Sequence, residues 1–396
     1  MKKKVLATAS VALLAMGTLA GCGSSASSGG SKSASSDAKT IKIGVDFELT
    51  GAEASFGNSA LNGVKLAVDE INKNGGINGK TIDIKVADNA SKADEATRAA
   101  QKLIDQDKVD ALIGATISTD TLAIVPVVQQ AKIPLISSSA TNPKVTVNPD
   151  TKKVNDWVFR ACFIDPFQGT VMANFSNKNL HAKTAAVMVD NSSDYSKGLA
   201  QYFEQSFKKD GGKILSVENY QAGDPDFKAV LTRIKAENPD VVYVPGYYGD
   251  VGKIVKQGRE IGIKVPFEGG DGWDSPELVK IAGAKNLNNT YISNHYAADD
   301  TDPNVQKFVK AFKAKYNTAP DAMAVLGYDA TNLLANAFKQ AGSTDHTKVR
   351  DALAATKDFQ TVTGKITFDK NHDPVKSAVI LEYKDGKQVF KTKINP

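Results

Sequence analysis

Hydroxyl side chains in two loops of the first half of the chain form the first group of candidate binding residues. One loop spans residues 114–119 (GATIST) and the other spans residues 137–141 (SSSAT). Each loop follows a short apolar segment typical of a β-strand, and the first loop leads into a predicted helix. Hydroxyl groups and the free backbone N–H groups of a helix N-terminus bind anions. These two loops therefore predict a site for a negatively charged group.

Aromatic residues and one acidic residue occupy the corresponding loops of the second half. Tyr195, Tyr247 and Asp271 each follow an apolar segment that is predicted to be a strand. Tyrosine rings suit an apolar group, and a carboxylate suits a cation. Because one half of the chain is equipped for an anion and the other half for a cation, the pattern predicts a receptor for a zwitterion.

Alternating strands and helices must position these loops. The segments typical of strands are 41–45, 82–86, 109–113, 134–136, 184–189, 214–217, 241–244 and 267–268. Helical spacing of apolar residues falls in 61–71, 93–106, 119–130, 197–209, 227–237 and 251–261. This alternation predicts βαβ units and mainly parallel sheets, and the chain is longer than one core usually holds. We therefore expect two Rossmann-like α/β lobes, in which ligands bind beyond the carboxyl ends of the strands.

The N-terminal residues have the pattern of a targeting segment. Three lysines at positions 2–4 precede an uncharged apolar run over residues 5–19, shorter than the roughly 20 residues of a transmembrane helix. The run ends in the sequence LAGC at residues 19–22, which resembles the lipobox of bacterial lipoproteins. The resemblance implies a signal peptide over residues 1–21 and a diacylated Cys22 that anchors stably to a membrane. The alternative is an ordinary secretory signal with a chance cysteine.

A flexible linker is predicted between this anchor and the folded part of the chain. Residues 23–40 are dominated by serine, glycine and alanine and carry no large apolar side chain, so they cannot bury enough surface to fold. The lipidated Cys22 and the linker together take residues 22–40. We expect them to hold the folded body at the outer face of the cytoplasmic membrane, with the surface of a single-membrane bacterium favoured over a periplasm.

The amino-acid composition excludes several classes of protein. The 396 residues are 41% hydrophobic and 23% charged, which is ordinary for a soluble globular protein and excludes a disordered chain or a multi-span membrane protein. Two cysteines exclude a disulfide-rich scaffold and a four-thiolate metal site. The formal net charge of +5 falls to +2 when residues 1–21 are removed, so nothing in the charge balance argues for a nucleic-acid partner.

The sequence lacks the common catalytic motifs. It contains no G-x-S-x-G, HExxH or P-loop pattern, and no G-x-G-x-x-G that opens a helix after a strand. Cys162 has no evident base partner and is expected to be a buried free thiol. Four histidines are scattered along the sequence, and we expect them to lie on the surface: His181, His295, His346 and His372. The sequence therefore predicts a binding protein that uses no metal and no cofactor, rather than an enzyme.

Short segments spread along the chain resemble one family of binding proteins. The segments are 41–44 (IKIG), 67–72 (AVDEIN), 75–77 (GGI), 134–137 (PLIS), 245–248 (PGYY), 269–272 (GGDG) and 327–330 (GYDA). In this order and spacing they resemble the periplasmic leucine/isoleucine/valine-binding proteins, the type I substrate-binding proteins of ABC importers. The resemblance covers essentially the whole chain after the linker.

The resemblance implies a role for individual loop residues. Ser118, Ser139 and Thr141, with the backbone near Ala140, match the residues that grip the α-carboxylate of an amino acid. The Ser139 carbonyl and Asp271 match the ligands of the α-ammonium group, although the family usually has the longer glutamate in place of Asp271. The other members of the implied binding set are Phe56, Thr116, Ile117, Tyr195, Tyr247, Gly272, Trp273 and Met323.

These assignments have structural alternatives. Ser118 can instead cap the following helix, and residues 137–141 and Asp271 can be turn residues. Trp273 either narrows the pocket or is turned away from it, and Met323 can belong to the core.

The implied mechanism is a two-lobe trap for a neutral L-amino acid, with branched-chain side chains favoured over amide or aromatic ones. The chain is expected to cross between the lobes near Ile164, Ser293 and Asp373. A monomer that has closed on its ligand would deliver it to an ABC permease in the same membrane. The alternative is a sensor or receptor component with the same fold. The expected lobes are residues 41–164 with 294–373 and residues 165–293 with 374–396.

Overall fold

Parallel strands alternate with helices in the computed structural model, which describes residues 40–395. The strands of the first sheet are β1 (Thr40–Phe47), β2 (Thr81–Asp88), β3 (Ala111–Gly114), β4 (Leu135–Ser137) and β5 (Val158–Arg160). The helices between them are α1 (Ala54–Lys73), α2 (Ala93–Asp105) and α3 (Ser118–Ala131). The strands are parallel and pair in the order β2-β1-β3-β4-β5. Because this order reverses between β1 and β3, the loops that follow these two strands flank a crevice.

The second sheet contains the same arrangement of five parallel strands. These strands are β6 (Thr184–Asp190), β7 (Lys213–Tyr220), β8 (Val241–Tyr243), β9 (Phe267–Gly269) and β10 (Thr290–Asn294). The helices that accompany them are α4 (Asp165–Lys178), α5 (Asp194–Lys209), α6 (Lys228–Glu237), α7 (Tyr248–Glu260) and α8 (Pro276–Ala282). Their order is β7-β6-β8-β9-β10, so a second crevice lies beyond the ends of β6 and β8.

After β10 the chain returns to the first lobe and then completes the second sheet. The returning elements are α9 (Pro303–Tyr316), α10 (Ala322–Ala341), α11 (His346–Ala354), β11 (Phe359–Thr361) and β12 (Gly364–Ile366). Helix α10 packs along α1, and a Cβ atom at Gly63 would lie 1.9 Å from the carbonyl oxygen of Ala324. Only glycine allows the two backbones to approach this closely. The final strands, β13 (Ala378–Lys384) and β14 (Lys387–Ile394), join the second sheet antiparallel beside β10.

Three segments connect the two sheets, and buried polar contacts tie these segments together. The segments are residues 161–164, 295–302 and 367–377. Arg160 Nε lies 2.7 Å from Asp373 Oδ1, and both side chains are buried. Lys376 Nζ donates a hydrogen bond of 3.1 Å to the carbonyl oxygen of Ala161. The three crossings that the sequence predicts fall in or beside these segments, and the lobe boundaries derived from them stay a prediction.

The α/β class is confirmed, and the structure differs from the expected elements in detail. The second sheet is mixed rather than parallel because β13 pairs antiparallel with β10, and β14 pairs antiparallel with β13. The sequence patterns assigned no elements between residues 137 and 183, where β5 and α4 lie, and none after residue 268. Helices α5 and α7 each begin three residues before the predicted start. The first turn of α5 is polar and is capped by Ser193, whose Oγ accepts a hydrogen bond of 3.2 Å from the Ser196 N–H. Apolar periodicity therefore detects these helices one turn late.

The predicted targeting segment lies outside the described residues. This applies to the signal peptide over residues 1–21, to the lipidation site Cys22 and to nearly all of the linker. Thr40, which the prediction gave to the linker, is the first residue of β1. Within residues 40–395, no helix combines the length and the apolar character that a membrane span needs.

Candidate functional site

The loops beyond the carboxyl ends of the two sheets face each other and enclose a small cavity. Its volume is about 10 Å³, close to the minimum that accommodates one water molecule. The cavity is lined by Phe56, Thr116, Ile117, Ser118, Ser139, Tyr195, Tyr247, Asp271, Gly272 and Met323. All of these residues belong to the predicted binding set. The topology thus brings together residues that lie more than 260 positions apart in the sequence.

The N-terminus of α3 forms the first-lobe side of the cavity. Helix α3 begins at Ser118, and no side chain caps it. The Ser118 hydroxyl instead accepts a hydrogen bond of 3.2 Å from the Asn142 N–H, so its own proton can be donated to a bound group. Ser139 Oγ donates to the Thr116 carbonyl at 2.8 Å and holds the two loops together. This side of the cavity therefore presents a hydroxyl and an uncapped helix N-terminus, which favour an anion.

A buried carboxylate, Glu48, supports this wall from behind. It accepts hydrogen bonds from the backbone N–H groups of Thr116 at 3.1 Å and Ile117 at 3.2 Å, and from the Thr116 hydroxyl. Burial raises the pKa of Glu48, although these hydrogen bonds oppose the rise. Burial also raises the pKa of the neighbouring Asp120 to about 9, so Asp120 keeps its proton at neutral pH. Sequence reasoning missed Glu48, although an acidic residue directly after β1 was a visible signal.

Asp271 forms the second-lobe side of the cavity and is held at both carboxylate oxygens. The Tyr195 hydroxyl donates to Oδ1 at 2.9 Å, and Nε2 of His295 lies 2.9 Å from Oδ2. The Gly272 N–H donates to the Tyr195 hydroxyl at 3.1 Å, which orients the phenol towards Asp271. The rings of Tyr195 and Tyr247 stack with their centroids 5.0 Å apart. This side of the cavity therefore presents a fixed carboxylate beside aromatic surface.

The surface position expected for His295 is wrong. Its side chain is fully buried, and the ring stacks on Phe163 at 3.8 Å between centroids. Burial lowers the pKa of His295 below its ordinary value, although Asp271 opposes this effect. Nothing in the sequence around His295 signals that it is buried. Its ring is turned inward only by the path of the second segment that connects the lobes. Among the other histidines, His181 is exposed and the remaining two are partly buried.

Comparison with known proteins assigns the chain to a family. A sequence profile described as Periplasmic binding protein matches residues 40–388. The chain belongs to the periplasmic binding protein family. The resemblance seen in the sequence is thereby confirmed, as is the expectation that this binding protein is not an enzyme.

Individual relatives span nearly the whole binding protein. An amino acid binding protein of Pseudomonas aeruginosa is 34% identical over 87% of this chain and 90% of its own length. The leucine-, isoleucine-, valine-, threonine- and alanine-binding protein of the same organism is 30% identical over 90% of this chain and 93% of its own. The branched-chain amino acid transporter substrate-binding protein LivJ of Streptococcus pneumoniae, crystallised with isoleucine, is 40% identical. Its structure has a TM-score of 0.85 and covers 90% of this chain and 100% of its own.

Three residues of the predicted binding set do not line the cavity of the binding protein. Ala140 lies behind the wall, where its carbonyl accepts from Arg160 Nη1 at 2.6 Å. Thr141 is also fully buried, and its carbonyl accepts from the Asp165 N–H at 3.0 Å. Trp273 is turned into the second-lobe core, because its indole N–H donates to the Val244 carbonyl at 2.9 Å. Of the two orientations predicted for this indole, the structure therefore shows the one that is turned away from the pocket.

Hydrogen bonds across the cleft join the two lobes outside the cavity lining. The Tyr248 hydroxyl donates to the Ala52 carbonyl at 2.7 Å and accepts from the Ser55 N–H at 3.2 Å. The hydroxyls of Ser55 and Ser275 lie 2.8 Å apart. These contacts stabilise the arrangement in which the cavity is closed. Sequence reasoning gave no role to any of these residues, because each hydrogen bond forms only between residues of different lobes.

Neither the cysteine nor a cluster of metal-ligating side chains forms a reactive centre within residues 40–395. Cys162 is a buried free thiol, as predicted, and burial raises its pKa to about 12, so it stays protonated. Within residues 40–395, no group of three or more histidine, cysteine or acidic side chains could hold a metal ion. The cavity between the lobes is therefore the candidate functional site.

Proposed function

We propose that this binding protein captures a neutral, branched-chain L-amino acid between its lobes and delivers it to an ABC permease. The observation that carries the proposal is the polarity of the cavity. An uncapped helix N-terminus with the Ser118 hydroxyl lies on one side, and Asp271 lies on the other. A zwitterion places its carboxylate against the first and its ammonium against the second.

The remaining lining residues favour an uncharged, apolar side chain. Phe56, Ile117, Tyr247 and Met323 supply aromatic and aliphatic surface. None of the described residues that line the cavity is basic, so nothing there would neutralise an acidic side chain beside Asp271. Burying one leucine-sized side chain contributes about 1.5–3 kcal/mol. The charged contacts then supply orientation and selectivity for the zwitterion.

Entry of the ligand requires the lobes to separate. A cavity of about 10 Å³ cannot hold an amino acid. The three connecting segments offer a hinge about which the lobes can open, and closure then brings Asp271 and the tyrosines onto a ligand held by the first lobe. The small cavity is thus consistent with a trap rather than with a rigid open pocket.

The relatives support the branched-chain assignment and the transport role. The Streptococcus protein was crystallised with isoleucine, and one Pseudomonas protein is named for leucine, isoleucine, valine, threonine and alanine. The lipobox-like sequence supports anchoring through Cys22 at the outer face of the cytoplasmic membrane. There the protein acts as a monomer beside its permease. Because this role is delivery of a ligand to a transporter, the ligand leaves unchanged.

Calorimetry with matched ligands tests the proposal. The purified protein is first freed of any co-purified ligand by unfolding, dialysis and refolding. It is then titrated with the twenty L-amino acids, with 4-methylpentanoic acid, which is leucine without the ammonium group, and with 3-methylbutylamine, which is leucine without the carboxylate. We expect leucine, isoleucine and valine to bind, and both leucine analogues to bind at least about 100-fold more weakly. Absence of any amino-acid binding, or equal affinity for leucine and 4-methylpentanoic acid, would contradict the proposal.

A further inference from the structure

His295 connects the candidate ammonium ligand to the crossing between the lobes. It is the first residue after β10, so it lies at the start of the second connecting segment. Its ring stacks on Phe163, which belongs to the first connecting segment. Its backbone N–H donates to the side-chain oxygen of Asn294 at 2.8 Å. Contacts with two of the three connecting segments thus fix the orientation of the imidazole. Its Nε2 atom lies within hydrogen-bond distance of Asp271.

The hydrogen bonds indicate which tautomer the imidazole adopts. Within the described residues, Nδ1 is buried and has no hydrogen-bond partner. A proton on Nδ1 would therefore be a buried donor without an acceptor, which is costly. The neutral ring that carries its proton on Nε2 avoids this cost and donates to Asp271 Oδ2 at 2.9 Å. His295 and Tyr195 together hold both oxygens of the carboxylate.

The charged neighbours of this pair fall on several elements. Lys376 of the third crossing acts on His295 and opposes its protonation, whereas Asp271 favours it. Asp165, at the start of α4, and Asp274, after the turn that carries Asp271, are further acidic groups near Asp271. A positive charge on His295 would lie directly against the carboxylate that faces the cavity. It would neutralise the charge available to a ligand ammonium.

We propose that His295 is a positioning residue for ammonium recognition: in its neutral form it fixes the Asp271 carboxylate, and its protonation weakens amino-acid binding. This inference rests on the proposed function and adds a pH dependence to it. A bound ammonium competes with the imidazolium for the same carboxylate, so by linkage affinity falls as His295 takes up a proton. Because burial lowers the pKa of His295 below 6.5, the loss of affinity falls on the acid side of that value.

Two substitutions at position 295 separate hydrogen bonding from packing. His295→Gln keeps an N–H donor at a similar reach but cannot take up a proton, whereas His295→Leu keeps bulk and loses the donor. Leucine affinity is measured by calorimetry between pH 7.5 and 5. At pH 7.5 we expect the Gln variant to bind within about fivefold of wild type and the Leu variant at least tenfold more weakly than the Gln variant. We expect wild-type affinity to fall between pH 7.5 and 5 as the imidazole takes up its proton, and the Gln variant to lack most of this fall.

His372→Gln is the matched control. His372 also lies in a crossing, stacks on a phenylalanine at 4.1 Å and has a pKa lowered by burial, but it bonds to the Val158 carbonyl rather than to Asp271. This variant should keep the wild-type pH profile. Equal affinity of the Gln and Leu variants, or a Gln variant that loses affinity with acidification as wild type does, overturns the role of His295. If wild type binds no amino acid at any pH, the proposed function itself fails.

Discussion

Replacing Tyr248 by phenylalanine removes a hydroxyl that joins the lobes without lining the cavity. This hydroxyl makes two hydrogen bonds to the backbone of the first lobe, at 2.7 Å to Ala52 and at 3.2 Å from Ser55. When the lobes separate, water can satisfy the same groups. The substitution should therefore weaken the closed arrangement while leaving each lobe folded.

The magnitude follows from the two bonds. Each contributes a net of about 0.5–1.5 kcal/mol, so their loss costs the closed form about 1–3 kcal/mol. Such a loss corresponds to a rise in the Kd for leucine of about 5- to 150-fold. Because closure follows capture, we expect the rise mainly in the dissociation rate rather than in the association rate.

Stopped-flow fluorescence and calorimetry measure these quantities directly. Tyr243→Phe is the matched control, because the Tyr243 hydroxyl is buried in the second lobe and has no hydrogen-bond partner in the described part of the chain. We expect the control to keep the wild-type Kd within about twofold. If Tyr248→Phe shows the wild-type Kd and dissociation rate, the contacts across the cleft do not stabilise the bound state.

Three further substitutions test the site and its support. Asp271→Asn keeps the shape of the side chain but removes its charge, so the affinity for leucine measured by calorimetry should fall about 30-fold or more. The circular dichroism spectrum should stay unchanged. An affinity equal to that of wild type would exclude Asp271 as the ammonium ligand. In Glu48→Gln the amide nitrogen cannot accept the hydrogen bonds that the Thr116 and Ile117 N–H groups donate to the carboxylate. Urea unfolding should therefore show a free energy of unfolding that is lower by about 1–3 kcal/mol. An unchanged free energy of unfolding would show that these hydrogen bonds make no net contribution to stability. Burial raises the pKa of Glu268 to about 8, so the folded protein binds the carboxyl proton more tightly than the unfolded chain does. The free energy of unfolding therefore falls as the pH rises from about 5 towards 8. Glu268→Gln should flatten this fall in urea experiments at pH 5 and 9, and an identical slope in the variant would rule Glu268 out as its source.

Local sequence patterns and the family resemblance together predicted the class of fold and most of the cavity lining. Apolar periodicity is a local property, so it revealed most strands and helices up to residue 268, although it missed β5 and α4. The rule that ligands bind beyond the carboxyl ends of parallel strands then selected the loops that carry Ser118, Tyr195 and Asp271. Family resemblance added Met323, which no local pattern would have placed at a site.

The side chains that support this lining became evident only in the folded protein. His295 meets Asp271, Glu48 meets the loop after β3, and Tyr248 meets Ala52 across the cleft. The fold also turns Trp273 into the core and places β13 antiparallel beside β10. Each of these features depends on a partner more than 20 residues away, or on the direction in which a connecting segment turns. A hydrogen bond of this kind leaves no periodicity in the sequence, because its geometry exists only after the two lobes have formed.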